Sequence, residues 1–156
     1  MAMYQNTPME KLNLPEFDIK LKQEGDKTWV FDLLRKKYVV LTPEEWVRQH
    51  FLNYLTTSLG YPKSLMKVES GMRHHKLIRR TDILVYNREA KPFMLVECKA
   101  AEVSLNQAVF DQVSAYNQAY QAPHLVITNG LHHFCCKLDF QSQKYEFLTD
   151  LPQLVE

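Results

Sequence analysis

FMLVECK, at residues 93–99, is a short apolar run that ends in two charged residues. Side chains of a β-strand alternate between its two faces, so Glu97 and Lys99 share one face with Phe93 and Leu95. A carboxylate and an ammonium therefore close a strand whose other residues suit a protein core. Burying an ion costs on the order of several kcal/mol unless it is paired or bound to a metal. We therefore expect these two charges to have a local partner or a local function.

A second carboxylate precedes them in RRTDILVY, residues 79–86, where Asp82 stands at the start of an apolar run. A hairpin between the two runs would set Asp82 beside Glu97. Two carboxylates and a lysine in one place can hold Mg²⁺ or Mn²⁺, with the backbone carbonyl of Cys98 as a further oxygen ligand, and can stabilise charge on a phosphate. The alternative is a cross-strand salt bridge, with Asp82 as a strand-start residue. The Glu-x-Lys spacing alone favours that alternative, because charged residues are common in any chain.

The pattern of the whole chain predicts an α/β (α+β) fold in which helices flank a mixed β-sheet. Short links make neighbouring strands antiparallel, whereas a helix between two strands implies a parallel pair. The predicted core order is α-β-β-β-α-β, with extra strands at both ends. Its elements are a hairpin around a turn in Gln23–Lys27, a strand at Tyr38–Leu41, a helix from Pro43 to Leu59, strands at Ser64–Gly71, Leu77–Tyr86 and Pro92–Ala100, a helix from about Ser104 to Gln121, and strands at His124–Thr128, His132–Leu138 and Lys144–Leu148.

Domain organisation is predicted to be simple. Residues 1–14 contain one proline and no sustained periodicity, which is typical of a mobile N-terminal arm. Residues 15–156 are expected to form a single domain, since the chain has the length of one domain and no internal repeat or linker.

The first helix is expected to begin with Thr42 as its N-cap, Pro43 at the first helical position and Glu45 closing a capping box. Glu44 is then in line with Val47 and Phe51 and is expected to face the sheet, whereas Glu45 lies off that stripe. Glu44 is therefore the candidate site carboxylate of this helix. The alternative is a favourable negative charge in the first helical turn.

On the second helix Gln112 and Tyr116 are four residues apart, so both lie on one helix face and can reach the same site. The alternative is an ordinary amphipathic helix with a polar flank. A dense basic cluster leads into Asp82, and its expected role is contact with a nucleic-acid backbone. Solvated charge in a hairpin turn is the competing interpretation of that cluster, which consists of Arg73, Lys76, Arg79 and Arg80, with His74 and His75 between them.

Composition excludes several classes of protein. The formal net charge is +1, so any nucleic-acid binding must come from a local patch. The chain has 3 cysteines and therefore no disulfide framework, which fits a reducing compartment. No apolar stretch is long enough to cross a bilayer and the N terminus lacks a signal peptide, so a cytoplasmic location is expected. A zinc site at Cys135 and Cys136 with the adjacent histidine pair is not expected, because neighbouring residues on a strand point to opposite faces.

From Leu41 to Leu138 the chain resembles the PD-(D/E)XK nuclease superfamily, and most closely the N-terminal nuclease domain of type I restriction enzyme R subunits. The motifs that carry the resemblance are TPEEWVRQ at residues 42–49 with GYP at 60–62, RTDILVY at 80–86, LVECKA at 95–100, QVSAY at 112–116 and VITNG at 126–130.

The resemblance implies a restriction-endonuclease-like core and a Mg²⁺-dependent DNA endonuclease in which Asp82, Glu97 and Lys99 are the catalytic set. It implies that Glu44 assists metal or water binding. Gln112 and Tyr116 match the Q-x-x-x-Y motif of the RecB-like branch, so they are expected to position the DNA backbone or the active-site lysine.

The resemblance implies that the chain binds DNA and that other restriction-modification subunits are its protein partners. Type I R subunits are long chains in which an ATP-driven translocase follows the nuclease domain, and no G-x-x-x-x-G-K-[ST] motif occurs here. ATP hydrolysis is therefore not expected of this chain. The alternatives are a non-catalytic module of the same fold that binds nucleic acid or protein, and a structural subunit in which the charged trio is an ion pair.

Overall fold

A computed structural model describes residues 9–68, 73–74, 77–78 and 83–154 of the protein. Within these ranges the predicted α/β class is confirmed: helices flank a mixed sheet in the predicted order. The strands are β1 (Leu21–Glu24), β2 (Lys27–Phe31), β3 (Tyr38–Val40), β4 (Met66–Lys67), β5 (Arg73–His74), β6 (Leu77–Ile78), β7 (Ile83–Tyr86), β8 (Pro92–Cys98), β9 (His124–Thr128), β10 (His133–Asp139) and β11 (Lys144–Leu148), and the helices are α1 (Pro43–Asn53) and α2 (Gln107–Asn117).

The central sheet has six strands in the order β11-β10-β9-β8-β7-β4. Strand β8 pairs antiparallel with β7 and parallel with β9, as the intervening helix predicts. Strands β1, β2 and β3 form a separate antiparallel sheet, and β5 and β6 form a two-stranded one. The single strand predicted over Leu77–Tyr86 is therefore wrong in part, since residues 77–78 and 83–86 belong to different sheets.

Each face of the central sheet carries its own hydrophobic core. On one face α1 and the β1–β3 sheet cover residues such as Met94 and Val96 of β8. On the other face α2 covers Leu95, together with Ile127 of β9. Residues of β8 therefore alternate between the two cores, and Glu97 lies on the strand positions that face α2.

Helix α1 begins as its sequence predicts. The Thr42 side chain accepts a hydrogen bond from the N–H of Glu45 at 3.0 Å, and Pro43 occupies the first turn. The helix does not stay α-helical to Leu59, because a π-helical turn takes over from Tyr54 to Ser58. Gly60 ends it with φ of +75°, a conformation that glycine adopts without strain.

Residues 9–14 pack on the core, where a mobile arm through residue 14 had been predicted. Leu12 is buried, the N–H of Asn13 donates to the carbonyl of Gly130 at 2.8 Å, and the Trp46 indole donates to the carbonyl of Glu10 at 2.8 Å. The arm prediction misses this because a single buried leucine and backbone hydrogen bonds leave no periodic signal. Residues 1–8 lie outside the described ranges.

The two adjacent cysteines lie in different cores, as strand alternation predicts: Cys135 packs with α1 and Cys136 with α2. Burial raises the pKa of the Cys135 thiol to about 11 and that of the Cys136 thiol to about 12. Among the described residues, neither helix has the length and apolar character needed to cross a membrane.

Candidate active site

The charged end of β8 forms an ion pair at the edge of the α2 core. Nζ of Lys99 lies 3.2 Å from Oε2 of Glu97, with 8% of the Glu97 side chain and 21% of the Lys99 side chain exposed. Parallel pairing with β9 sets Glu97 beside Ile127, and the N–H of Lys99 donates to the carbonyl of Thr128 at 2.8 Å. The sheet therefore fixes a buried carboxylate next to an ammonium that still reaches solvent.

This arrangement suits chemistry on an anion. Two carboxylate oxygens can accept from Lys99 or bind a cation, while an ammonium with one side open to solvent can donate to a phosphate oxygen. The same 3.2 Å contact is also what a structural ion pair would show. Both sequence interpretations of Glu97 and Lys99 therefore stand, and the residues around them must distinguish the two.

The predicted partner Asp82 lies outside the described residues, as do Lys76, Arg79 and Arg80 of the basic cluster, and the side chain of Arg73 is not described either. The strand register reaches the position next to Asp82: Ile83, which follows it in the chain, pairs with Val96, which precedes Glu97. Among the described residues, no group of three or more His, Cys, Asp and Glu side chains could hold a metal. The metal site therefore stays a prediction that needs Asp82.

The two glutamates at the start of α1 differ from their predicted orientations. Glu45 was expected to lie off the buried stripe, yet only 3% of its side chain is exposed. Its carboxylate binds Nη1 of Arg48, accepts from Nε2 of Gln49 at 3.0 Å and lies 3.6 Å from Nη2 of Arg35. Glu44 is the more exposed residue, with 42% of its side chain accessible and Nη2 of Arg48 at 3.3 Å.

Sequence reasoning missed this ionic network because helix α1 is buried around most of its circumference. A run of polar residues, Arg48-Gln49-His50, is fully buried, with Phe17 packed edge-on against His50 and the N–H of Leu33 bonded to Gln49. Asp32 completes the network by accepting from Nε of Arg35 at 2.9 Å. The only sequence signal was the three-residue spacing of Asp32 and Arg35 and of Glu45 and Arg48, which is common on surfaces as well.

Helix α2 covers the sheet face on which Glu97 lies, so Gln112 and Tyr116 are on the correct side of the sheet. Tyr116 is partly buried and packs on the α2 core, whereas Gln112 is exposed. The buried side chains of α2 are Val113, Ser114 and Asn117. Gln112 thus presents its amide to solvent beside the core-packed Tyr116, and the site role of both residues stays a prediction.

The loop after Lys99 is held against the β9–β10 turn by a buried amide. Nδ2 of Asn129 donates to the carbonyl of Val103 at 2.9 Å, and its Oδ1 accepts from the N–H groups of Leu131 and His132. A cavity of about 430 Å³ opens here, lined by residues 101–105 and by the turn residues. This cavity begins two residues beyond Lys99, so the ion pair lies close in the chain to a space that could receive a ligand.

A larger cavity, of about 560 Å³, lies on the α1 side of the sheet between Phe51, Tyr61, His133 and the segment after β11. None of its lining residues was predicted to belong to the site. Burial lowers the pKa of His133, although its hydrogen bond to the carbonyl of Asn13 acts in the opposite direction. The size of this cavity therefore does not identify it as the place where the predicted chemistry occurs.

Comparison with known proteins places the chain in a family. A search of curated proteins found no significant match. The chain is similar to a fragment structure described as an HsdR subunit of a type I restriction enzyme from Vibrio vulnificus YJ016, with 19% sequence identity and a TM-score of 0.49; the match covers 72% of this chain and 24% of that one. The family model for the type I restriction enzyme R protein N terminus matches residues 43–152, which include α1, the candidate site and β11. The chain therefore belongs to the family of type I restriction enzyme R protein N termini.

Proposed function

We propose that this protein is a metal-dependent nuclease domain that hydrolyses phosphodiester bonds in DNA. The observation that carries the proposal is the buried Glu97 beside the partly exposed Lys99 at the end of β8, within a chain of the R-protein N-terminal family. An ion pair with no task is more easily placed at a surface, because burying it costs desolvation energy that its own attraction seldom recovers in full.

The residues available to hold a divalent cation are Asp82, Glu97 and the backbone carbonyl of Cys98. Their donor atoms are carboxylate and carbonyl oxygens, which Mg²⁺ and Mn²⁺ prefer, so the donor set fits such an ion. When bound, the ion would polarise a phosphate oxygen and lower the pKa of a water molecule.

The protein's own side chains have separate tasks in this proposal. Lys99 donates to a phosphate oxygen as charge develops on it, and Glu97 keeps the ammonium in place at 3.2 Å. The exposed amide of Gln112 can bind the DNA backbone from the helix that covers the same sheet face, with Tyr116 fixed beside it by the α2 core. Glu44, at the accessible start of α1, is the further carboxylate of the proposed site.

DNA is the proposed substrate. This chain spans about a quarter of the Vibrio vulnificus chain that it matches. The proposed protein partners are other restriction-modification subunits. The second candidate function is a non-catalytic module of the same fold that binds nucleic acid or protein, in which Glu97 and Lys99 form a structural ion pair.

Cleavage of supercoiled plasmid and of single-stranded DNA tests the proposal, with Mg²⁺ or Mn²⁺ present and with EDTA as the metal-free control. We expect the wild type to cleave DNA, and we expect the Lys99→Ala and Glu97→Gln variants not to cleave it. Lys91→Ala is the matched control, since Lys91 is an exposed lysine before the opposite end of β8 and its loss should leave cleavage unchanged.

Three outcomes separate the candidates. Metal-dependent cleavage that disappears in Lys99→Ala but not in Lys91→Ala supports the nuclease. If no protein cuts with either metal and all of them bind DNA equally, the binding module replaces it. If the wild type neither cuts nor binds DNA, the proposal is wrong, and the remaining candidate is a module of the same fold that binds a protein.

A further inference from the structure

The β1–β3 sheet has one face in the core and one face turned outward. Its register pairs Leu21 with Val30 and Val30 with Val39, and these three residues belong to the α1 core. Strand alternation sends the intervening residues to the other face. We call the aromatic rings and lysines of that outer face the aromatic–lysine face: Lys20, Lys22, Trp29, Phe31 and Tyr38. The register places Glu24, Lys27 and Val40 on the same side.

Two rings on this face, Phe31 and Tyr38, are in contact with lysine side chains. Phe31 and Tyr38 form an edge-to-face pair with centroids 5.3 Å apart. Nζ of Lys22 lies 4.4 Å from the Tyr38 centroid, and Nζ of Lys20 lies 5.6 Å from the Phe31 centroid. Both lysines are exposed, so flexible side chains cover the rings and a ligand can displace them.

Positive charge is concentrated in the same part of the chain. Residues 20–40 contain six basic and three acidic residues, a formal charge of +3, whereas the whole chain carries +1. Two pairs within this segment neutralise each other, Asp32 with Arg35 at 2.8 Å and Glu24 with Lys22 at 3.5 Å. Lys36 and Lys37 are exposed in the loop between β2 and β3. An anionic polymer that crosses this face would therefore meet lysines both on the strands and in the loop.

The face is fixed to the rest of the domain through α1. The N–H of Leu33 donates to Oε1 of Gln49 at 3.2 Å, and Arg35 lies 3.6 Å from Glu45 at the start of that helix. The loop that carries the exposed lysines is thus joined to the turn that presents Glu44. A ligand held by this face would therefore lie on a sheet that is bonded to α1.

We propose that the aromatic–lysine face binds single-stranded nucleic acid. Unpaired bases stack on Phe31 and Tyr38, and Lys20 and Lys22 move from the rings to the neighbouring phosphates. Aromatic rings set among lysines are the means by which proteins bind single strands without reading sequence. A duplex does not fit this chemistry, because its bases are stacked on one another and their faces are inaccessible. The proposal rests on the proposed function only in taking nucleic acid as the substrate.

Fluorescence anisotropy with a labelled oligothymidylate tests this site. The oligonucleotide has about 15 nucleotides, which is long enough for one such binding surface. A duplex of equal length is measured in parallel, and EDTA prevents cleavage in both experiments. We expect Phe31→Leu with Tyr38→Leu to weaken single-strand binding by at least about 5-fold, the lower limit for loss of one stacked base, and to change duplex binding less than about twofold. Lys20→Ala with Lys22→Ala should lower the slope of log K against log salt by about 1.4, because each phosphate contact on a single strand contributes about 0.7.

Two controls keep the result interpretable. Lys144→Ala removes an exposed lysine from β11 at the far edge of the central sheet and should leave binding unchanged. Phe31→Tyr keeps an aromatic ring and should retain at least half of the wild-type affinity, while a urea unfolding curve shows that each variant is folded.

The proposal is overturned if the folded ring variant binds the single strand as the wild type does, if it loses duplex and single-strand binding equally, or if the wild type binds no nucleic acid. A wild type that binds oligothymidylate through these rings but never cuts DNA contradicts the nuclease and leaves the face standing. A wild type that cuts DNA while the ring variant binds normally contradicts the face alone.

Discussion

Replacing Glu45 by glutamine should destabilise the protein, whereas the same change at Glu44 should leave its stability almost intact. The two residues are adjacent and chemically identical, but 3% of the Glu45 side chain is exposed against 42% for Glu44. The Glu45 carboxylate neutralises the charge of Arg48, whose side chain is 1% exposed. It also accepts a hydrogen bond from Gln49 and lies 3.6 Å from Nη2 of Arg35. Glu44 has a single ion pair with Arg48, at 3.3 Å.

The magnitude follows from these contacts. Breaking a buried ion pair by removing one charge costs about 3 to 5 kcal/mol, because the remaining charge is left in a medium that solvates it poorly. Glu44 stays near Arg48, and a glutamine can still accept one hydrogen bond, so we expect about 2 to 3 kcal/mol for Glu45→Gln. Glu44→Gln should cost less than about 1 kcal/mol, as exposed pairs do.

Urea unfolding followed by circular dichroism measures both free energies. In a chain of this length about 1 kcal/mol corresponds to about 2 to 4 °C in Tm, so Glu45→Gln should lower Tm by about 4 to 12 °C. Equal losses in the two variants, or a loss below about 1 kcal/mol for Glu45→Gln, would refute the reasoning. Glu44→Gln should instead lower DNA cleavage by about tenfold or more at unchanged stability, since its proposed role is in the site.

Three further predictions concern stability. Gly130→Ala should cost about 1 to 3 kcal/mol in a urea curve, because φ is +86° and the added Cβ would lie 2.7 Å from Cδ2 of Leu12; an unchanged midpoint would contradict the contact. Thr42→Ala should cost about 1 kcal/mol through loss of the helix cap, with Thr42→Ser as the control that retains stability. Burial lowers the pKa of His50 and of His133; both are therefore more easily protonated in the unfolded chain, so the unfolding free energy should fall as pH drops below about 6.5. His50→Gln should make the loss between pH 7 and pH 5 shallower, and a wild-type stability that is flat over this range would contradict the assignment.

Local signals in the sequence predicted the elements that have strong boundaries. Thr42-Pro43 fixed the start of α1, and the apolar run His124–Thr128 matches β9 residue for residue. The order of elements followed from link lengths, because a short link permits only an antiparallel neighbour and a helix permits a parallel one. The position of Glu97 and Lys99 on one strand face also followed from alternation alone.

The sequence could not predict features that depend on a helix being covered on several sides. Periodicity assumes one buried stripe, but α1 is buried at every position from Glu45 to Leu52, so Glu45 is buried although it is off the apolar stripe. The π-helical turn at Tyr54–Ser58 likewise has no sequence signature, and propensity predicted a continuous α-helix through it. Packing of Leu12 depends on contacts with residues more than a hundred positions away, which a local pattern does not contain.

The division of the adjacent cysteines between two cores has a practical consequence for labelling experiments. With thiol pKa values of about 11 and about 12, Cys135 and Cys136 hold almost no thiolate at neutral pH, and Cys98 is buried as well. Maleimides and Ellman's reagent attack the thiolate, so the native protein should react with them far more slowly than an exposed cysteine does. A single cysteine introduced at Asp26, in the exposed turn between β1 and β2, would therefore be the reactive thiol of the folded protein. A fluorophore attached there would lie near the aromatic–lysine face without removal of any native cysteine.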